Sequence, residues 1–487
     1  YGARLASGES PPPNLDALAA GGLVYREARA TTSWTLPSHT SLFTGLPELA
    51  HAVEQDGERL AQEIPTLAET LAQAGYRTFG VYSGPYLDPR YGFARGFARY
   101  ERGYGAELAR AADELETVTE LLARIDSARE PERAEVARER LARAERALEV
   151  ASHADVSAAR VAELAREELV RASRDARPFF LFAHFFDAHY DYRPPEQFLH
   201  KVDPEHTTDP ALSCSPVTTD PESVASCRLR YQGEVAWLDA EVGRVLDELA
   251  RLDLAENTLV VVVSDHGDEF LEHGALGHRR TLHEEVLRVP VIVRFPGRVE
   301  AGKERDGATP LFALHDELLA HLGVRAERDS VSAPVARLVR PEYVELELGS
   351  ERVRANRLHV LESFWHAGLV LRRERVLLRA IDPLPVSLRT VFEQRARSEF
   401  AREELLWAPL APPGQETWSS DFTGAAARVA LDAFRTSYAL WTGQRRAPRP
   451  TEDAEGLAAA LRGLGYAGFE GTFSVESDAL VLPPPGN

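Results

Sequence analysis

Residues 259–267 read Leu-Val-Val-Val-Val-Ser-Asp-His-Gly. An unbroken run of mostly β-branched apolar residues suits a strand covered on both faces, the pattern of a parallel sheet rather than of a half-solvated antiparallel one. Ser264, Asp265 and His266 follow at once, so they stand at the carboxyl end of that strand, where open α/β sheets collect their ligands. A hard carboxylate oxygen beside an imidazole nitrogen can form the first pair of ligands to a divalent cation. Both side chains could equally be hydrogen-bonded loop residues.

The same alternation runs outward through the first three hundred residues. Arg77 to Ser83, Phe179 to Phe186 and Val289 to Phe295 read as further buried strands, and Thr66 to Ala74 and Val235 to Leu252 as helices with apolar residues every three or four positions. The pattern predicts an α/β fold: a mixed, mostly parallel sheet flanked by helices. From about Ala106 to Arg174 the composition turns to Ala, Glu, Arg and Leu with opposite charges three or four apart, which predicts a helical insertion whose charged face is either solvated or a lid or partner surface. Residues Pro194 to Ser226 read as a polar loop at the rim of a pocket. Beyond Gly323 the pattern loosens, and Tyr343 to Leu348, His359 to Phe364 and Leu369 to Ala380 read as strands of a small second sheet. The expected division is a catalytic domain over residues 1–325 and an α+β subdomain over 340–487.

Composition narrows the function. The chain has 487 residues, enough for one large core and a smaller one. A formal charge of −20 opposes binding to a nucleic-acid backbone. No stretch is apolar enough to span a membrane. There is no Met, and the chain opens at Tyr1 in what reads as a loop. The expectation is therefore that the natural start lies upstream and that any leader or membrane anchor lies there too. Cys214 and Cys227, the only cysteines, fall in the polar loop and read either as a disulfide formed in an oxidising compartment or as two thiols.

Two further segments carry ionisable groups. Thr31 to Gly45, TTSWTLPSHTSLFTG, places a hydroxyl two residues before Pro37, at the mouth of a helix whose N–H groups and dipole suit an anionic ester. Simple helix capping explains the same residues. Pro178 to Pro195, PFFLFAHFFDAHYDYRPP, ends an apolar run with His184, Asp187, His189 and Asp191. Alternation along a strand separates His184 from Asp187, and His189, beyond the strand end, is the better site candidate. Of His273, His278 and His283, which share one Gly-containing loop, some must be bystanders; a member facing the site could stabilise an oxyanion or protonate a leaving group.

These segments in this order, with PNLDALAAGGLVYREARA before the first and AGYRTFGVYSGPYLDPRYGFARGF after it, resemble the sulfatase-like family of the alkaline phosphatase superfamily across most of residues 13–297. The resemblance implies an alkaline phosphatase-like fold and a metal-dependent ester hydrolase. It places Thr35 as nucleophile, Asp265 and His266 as ligands of a divalent cation (calcium, magnesium, manganese or zinc), His189 against the ester oxygens, and His278 where many members carry a Lys touching the transferred group. The substrate would be a small-molecule, glycan or lipid ester, and the location extracytoplasmic, periplasmic or secreted. Two departures stand out. Sulfatases carry Cys or Ser, converted to formylglycine, at the position of Thr35, and an Arg at that of His39; Thr cannot give that aldehyde, and a Thr nucleophile resembles the superfamily's phosphodiesterases and phosphotransferases. In the family a first strand with one or two Asp ligands precedes the PNLD segment, and its absence here predicts an incomplete metal site, an unpaired strand edge and exposed apolar surface. A head-group transferase and an inactive binding module are the rival functions.

Overall fold

The computed structural model describes residues 12–53, 58–125 and 157–325, with short gaps at 206, 209–211, 215–217, 219, 275, 280–281 and 308. It also describes scattered positions between 126 and 156 and strands at 335–336, 365–370, 374–380, 403–409 and 449–450. One sheet is wholly parallel. Arg77–Tyr82 lies at its centre, with Arg99–Arg102 on one side and Phe179–Ala183 on the other. A second sheet runs Lys303–Arg305, Leu23–Tyr25, Val291–Arg294, Val260–Val263.

That second sheet is the mixed one, because Val291–Arg294 is antiparallel to both its neighbours. The cause is the connection. Val260–Val263 leads into a loop and the small hairpin Glu269–Phe270 with Leu276–Gly277, not into a crossover helix, so the chain can return beside the strand it left in the opposite sense. Full burial is corrected: Val260–Val263 and Phe179–Ala183 are half-buried at every position, since each is the edge of its sheet.

Helices cover these sheets. Thr66 opens Leu67–Gln73 with a capping box, its side chain accepting from Glu69 N while Glu69 reaches back to Thr66 N. The helix expected from Val235 begins earlier and spans Pro221–Arg251, capped by Asp220, which accepts from Ser223 N at 2.9 Å. Midway along it, Asp239 accepts from Asn14 N at 3.0 Å and Leu15 N at 2.7 Å, fixing the start of helix Pro13–Ala20. Within the predicted insertion the helices Ala106–Ala123 and Ala158–Ala172 form; the second packs on Pro221–Arg251 and on the parallel sheet, burying Val161, Leu164 and Leu169.

Cys214 and Cys227 form a disulfide. Both are fully buried, and Cys227 belongs to the long helix, so the bond ties that helix to the preceding segment. Among the described C-terminal residues, Val335–Ala336, Trp365–Val370, Glu374–Ala380 and Glu403–Pro409 form an antiparallel sheet in that order. The predicted strand Leu369 to Ala380 is thus two strands of a hairpin, while Tyr343 to Leu348 and His359 to Phe364 lie outside the described residues.

The core centres on helix Thr35–Thr44, in which every residue is buried. On one side Leu42 joins Tyr25, Leu287, Val291 and Leu311. On another, Leu36 and Phe43 join an aromatic cluster with Trp34, Tyr82, Tyr86 and Phe93. A helix buried on all sides has little freedom to shift. Its first turn is therefore a rigid platform.

Candidate active site

Thr35 is the first residue of that helix, after the extended Trp34. No side-chain cap bond forms at this end, which removes the capping explanation for Thr35. Its Oγ1 instead lies 3.3 Å from His266 Nε2. His266 Nδ1 donates to Gly267 O at 3.0 Å, which leaves the Nε2 lone pair facing the hydroxyl. Asp265 Oδ2 is 3.5 Å from the same Nε2. Ser38, one turn into the helix, donates to Asp265 O at 2.6 Å and locks the strand end against the helix start.

His39 touches this group from behind. Its Nδ1 lies 3.0 Å from Thr35 O and 3.3 Å from Asp265 Oδ2, so its N–H points at a carbonyl and a carboxylate. Burial opposes ionisation of Asp265, but the imidazoles of His266, His39 and His184 outweigh it and hold the carboxyl well below the ordinary range. His184, which alternation separates from Asp187, is half-buried with Nδ1 3.5 Å from Ser83 N; burial, then His39, lowers its pKa to about 3.

The third side comes from the hairpin and from the loop after Phe179–Ala183. His278 Nδ1 donates to Asp268 Oδ1 at 2.6 Å, and Tyr192 donates its hydroxyl to the other oxygen at 2.6 Å. His266, Asp268 and His278 each offer a ligand atom within 4.8 Å of one another. Since both oxygens of Asp268 already accept, it orients His278, whereas Asp265, His266 and Thr35 present the open donors. Burial is the largest influence on Asp268 and raises it, yet His278 beside it brings it down to about 2. Burial, then His266, lowers His278 to about 3. His189 stacks on Phe186 at 4.4 Å, stands 5.0 Å from the His278 ring and donates Nδ1–H to Tyr190 O at 2.7 Å. Burial lowers it to about 4. Both imidazoles are neutral near pH 7 and present Nε2 lone pairs, so in this state they accept protons and do not donate them.

The structure thus gathers Thr35, His39, His189, Asp265, His266 and His278, all six candidates from the sequence. It sends His273 and His283 elsewhere, stacked on each other at 3.5 Å. Sequence reading missed Asp268 and Tyr192. The first had a signal: it lies three residues after Asp265 in the turn leaving the strand, where positions three apart come near each other. Arg279 was missed as well, a fixed cation 3.9 Å from the Trp34 ring centroid, donating to the Tyr86 hydroxyl at 3.0 Å.

The sulfatase family model matches residues 3–324. The chain belongs to the sulfatase family. Choline-sulfatase of Rhizobium meliloti is 32% identical over 161 residues, which is 28% of this chain and 31% of that one. Bovine arylsulfatase A is 28% identical over 338 residues, 63% of this chain and 58% of that one. The alignment thus reaches about a third of the first of these relatives. Among solved structures, the phosphonate monoester hydrolase of Agrobacterium radiobacter superposes with a TM-score of 0.59 at 17% identity, covering 92% of this chain and 93% of that one. This likeness is one of fold, alkaline phosphatase-like.

Sulfatase-family enzymes are metal-dependent, and the oxygen and nitrogen donors of Asp265, His266 and Thr35, 3.3–3.5 Å apart, suit a divalent cation. Asp265 is ionised, the Gly267 carbonyl takes the Nδ1 side of His266 so that Nε2 faces the site, and the Thr35 hydroxyl is adjacent. A fixed far-side hydrogen bond of this kind is what a ligating imidazole needs.

Proposed function

We propose that this chain is a metal-dependent ester hydrolase with Thr35 as nucleophile, acting on phosphate diesters or phosphonate monoesters in preference to sulfate monoesters. The observation that carries the reading is the convergence of Thr35 Oγ1, His266 Nε2 and Asp265 Oδ2 at the first turn of a fully buried helix. A divalent cation held by these three would make the hydroxyl more acidic and screen charge on the ester. Thr35 Oγ gives its proton to a neutral imidazole and attacks phosphorus in line, its bond forming as that to the leaving alkoxide breaks, and the imidazolium so formed returns the proton to that alkoxide. Water then cleaves the Thr35 ester, its proton passing to a neutral imidazole; His278, fixed by Asp268, is the better base, and His189 lines the same space.

Two features favour a phosphoester. A sulfated formylglycine hydrate can collapse to the aldehyde and expel sulfate, whereas a Thr ester must be opened by water at the central atom. His39 directs its N–H to Thr35 O and Asp265, not to the substrate, as an Arg there could. Losing one charge-assisted hydrogen bond costs roughly 1 to 3 kcal/mol and weighs more on a dianion than on a monoanion. The chemical class of the alcohol is a small molecule or a sugar, by analogy with choline-sulfatase and N-acetylglucosamine-6-O-sulfatase. The buried disulfide is the ground for proposing an extracytoplasmic setting.

The test is kcat/KM across aryl sulfate, aryl phosphate, phosphate diester and phosphonate monoester. The diester or phosphonate is expected to lead. Aryl sulfate as the best substrate would show the preference to be wrong.

A further inference from the structure

One carboxylate outside the site holds the loop that carries His189. Glu234, midway along Pro221–Arg251 and 5% exposed, accepts Ala188 N at 2.8 Å on one oxygen and Arg193 N on the other. These donors flank His189 on either side. Ala188 has φ +74°, a left-handed conformation that a residue with a Cβ keeps only when it is held there. One turn earlier on the same helix, Arg230 donates to Asp191 O at 3.2 Å and to Leu212 O. Within the gripped loop, Tyr192 reaches Asp268, which in turn orients His278.

The arrangement is a costly one. Glu234 is buried beside Asp187, a second buried carboxyl that accepts from Ser157 at 2.7 Å. Burial, then Asp187, pushes the Glu234 carboxyl well above the ordinary range; the two backbone N–H groups and Arg230 oppose this. Bonds from both N–H groups, one to each oxygen, need two acceptor oxygens side by side, which a carboxyl supplies and an amide does not. A neutral residue of similar shape would avoid the desolvation, but none offers two acceptors and no donor.

We propose that Glu234 is a positioning residue for the hydrolysis: by gripping both ends of the loop it sets His189 directly, and His278 through Tyr192 and Asp268. The proposal rests on the hydrolase reading above for its effect on turnover, though not for its effect on ring placement. Glu234→Gln tests it in the full chain. Glutamine keeps the shape and one acceptor oxygen, but turns an NH2 toward one of the two N–H groups. The expected result is a fall in kcat on the order of 100-fold, the cost of a displacement near 1 Å, with KM changed by less than about threefold. In 15N spectra the His189 ring should lose its single Nδ1–H tautomer. Tyr192→Phe leaves both Glu234 bonds intact and should alter the His278 signals while sparing those of His189. Should Glu234→Gln fail to fold, Glu234→Asp keeps the charge but is one methylene short of spanning both donors, and the same loss is expected. If the wild type turns over no ester, the ring signals decide alone. Unchanged His189 signals, or wild-type kcat, in a folded Glu234 variant would overturn the proposal.

Discussion

Two clusters of imidazole and carboxylate are built from the same short stretch, and their donor atoms are arranged differently. His266, Asp268 and His278 gather beside Thr35; Glu269, His273 and His283 gather within the same 4.8 Å limit on the other side. Asp268, just before the hairpin strand, and Glu269, its first residue, are neighbours in the chain and belong to different clusters. In the first cluster each ring donates Nδ1–H to the protein, and His266 Nε2 faces a hydroxyl. In the second, His273 and His283 stack at 3.5 Å with their planes 8° apart, and His273 Nδ1 lies 3.5 Å from Glu285. Rings packed face to face direct their lone pairs along parallel lines, so no point lies in the plane of both. The two clusters share residue types and differ in the direction of their lone pairs, which is what ligation depends on.

The sharpest way to break this comparison is to count metal. Asp265→Ala should lose the bound cation, while Glu269→Gln should keep it, as read by elemental analysis of dialysed protein. Equal content in Asp265→Ala and wild type, or loss in Glu269→Gln, would reverse the assignment. Asp268→Asn comes next: without the carboxylate, His278 loses its fixed tautomer, and kcat/KM should fall about 10- to 100-fold. In the second cluster the effect should be on stability: Glu269→Gln is expected to cost about 1–3 kcal/mol in urea unfolding through a buried group left poorly paired, with kcat within about twofold of wild type.

The smallest effect is a pH dependence. Burial lowers His189 from 6.5 to about 4, so the unfolded chain takes up its proton first as the solution is acidified. Stability from this residue is complete above about pH 6.5 and is lost as the pH falls toward 4. The urea midpoint should drop over that interval, and less so in His189→Phe. An equal drop in the variant would remove the attribution.

How much of this was legible in the sequence follows from how local each cause is. The strands at 77–82, 179–183, 260–263 and 291–294 declared themselves by their apolar runs, and Asp265 and His266 by following one of them. The antiparallel return of Val291–Arg294 had no signature, because strand direction is set by what fills the connection. The helix after Trp34 was legible but its complete burial was not, since Ser38, His39 and Thr40 look solvated until the surrounding aromatic residues are in place. Asp268 was within reach of the motif. Glu234 was not: nothing local marks a glutamate in a charged helix as the partner of two amides some forty residues upstream.

The central claim, that Thr35 takes the transferred group, has a direct measurement. The enzyme is mixed with a slowly hydrolysed phosphate diester or phosphonate monoester, quenched in acid before steady state, digested, and the peptide bearing residues 31–45 weighed by mass spectrometry. The account predicts a phosphorus-containing adduct on Thr35, present in the burst phase and absent from Thr35→Ala, whose kcat/KM should be lower by at least about 1000-fold. Turnover without any adduct on that peptide, or an adduct with full activity in Thr35→Ala, would contradict it.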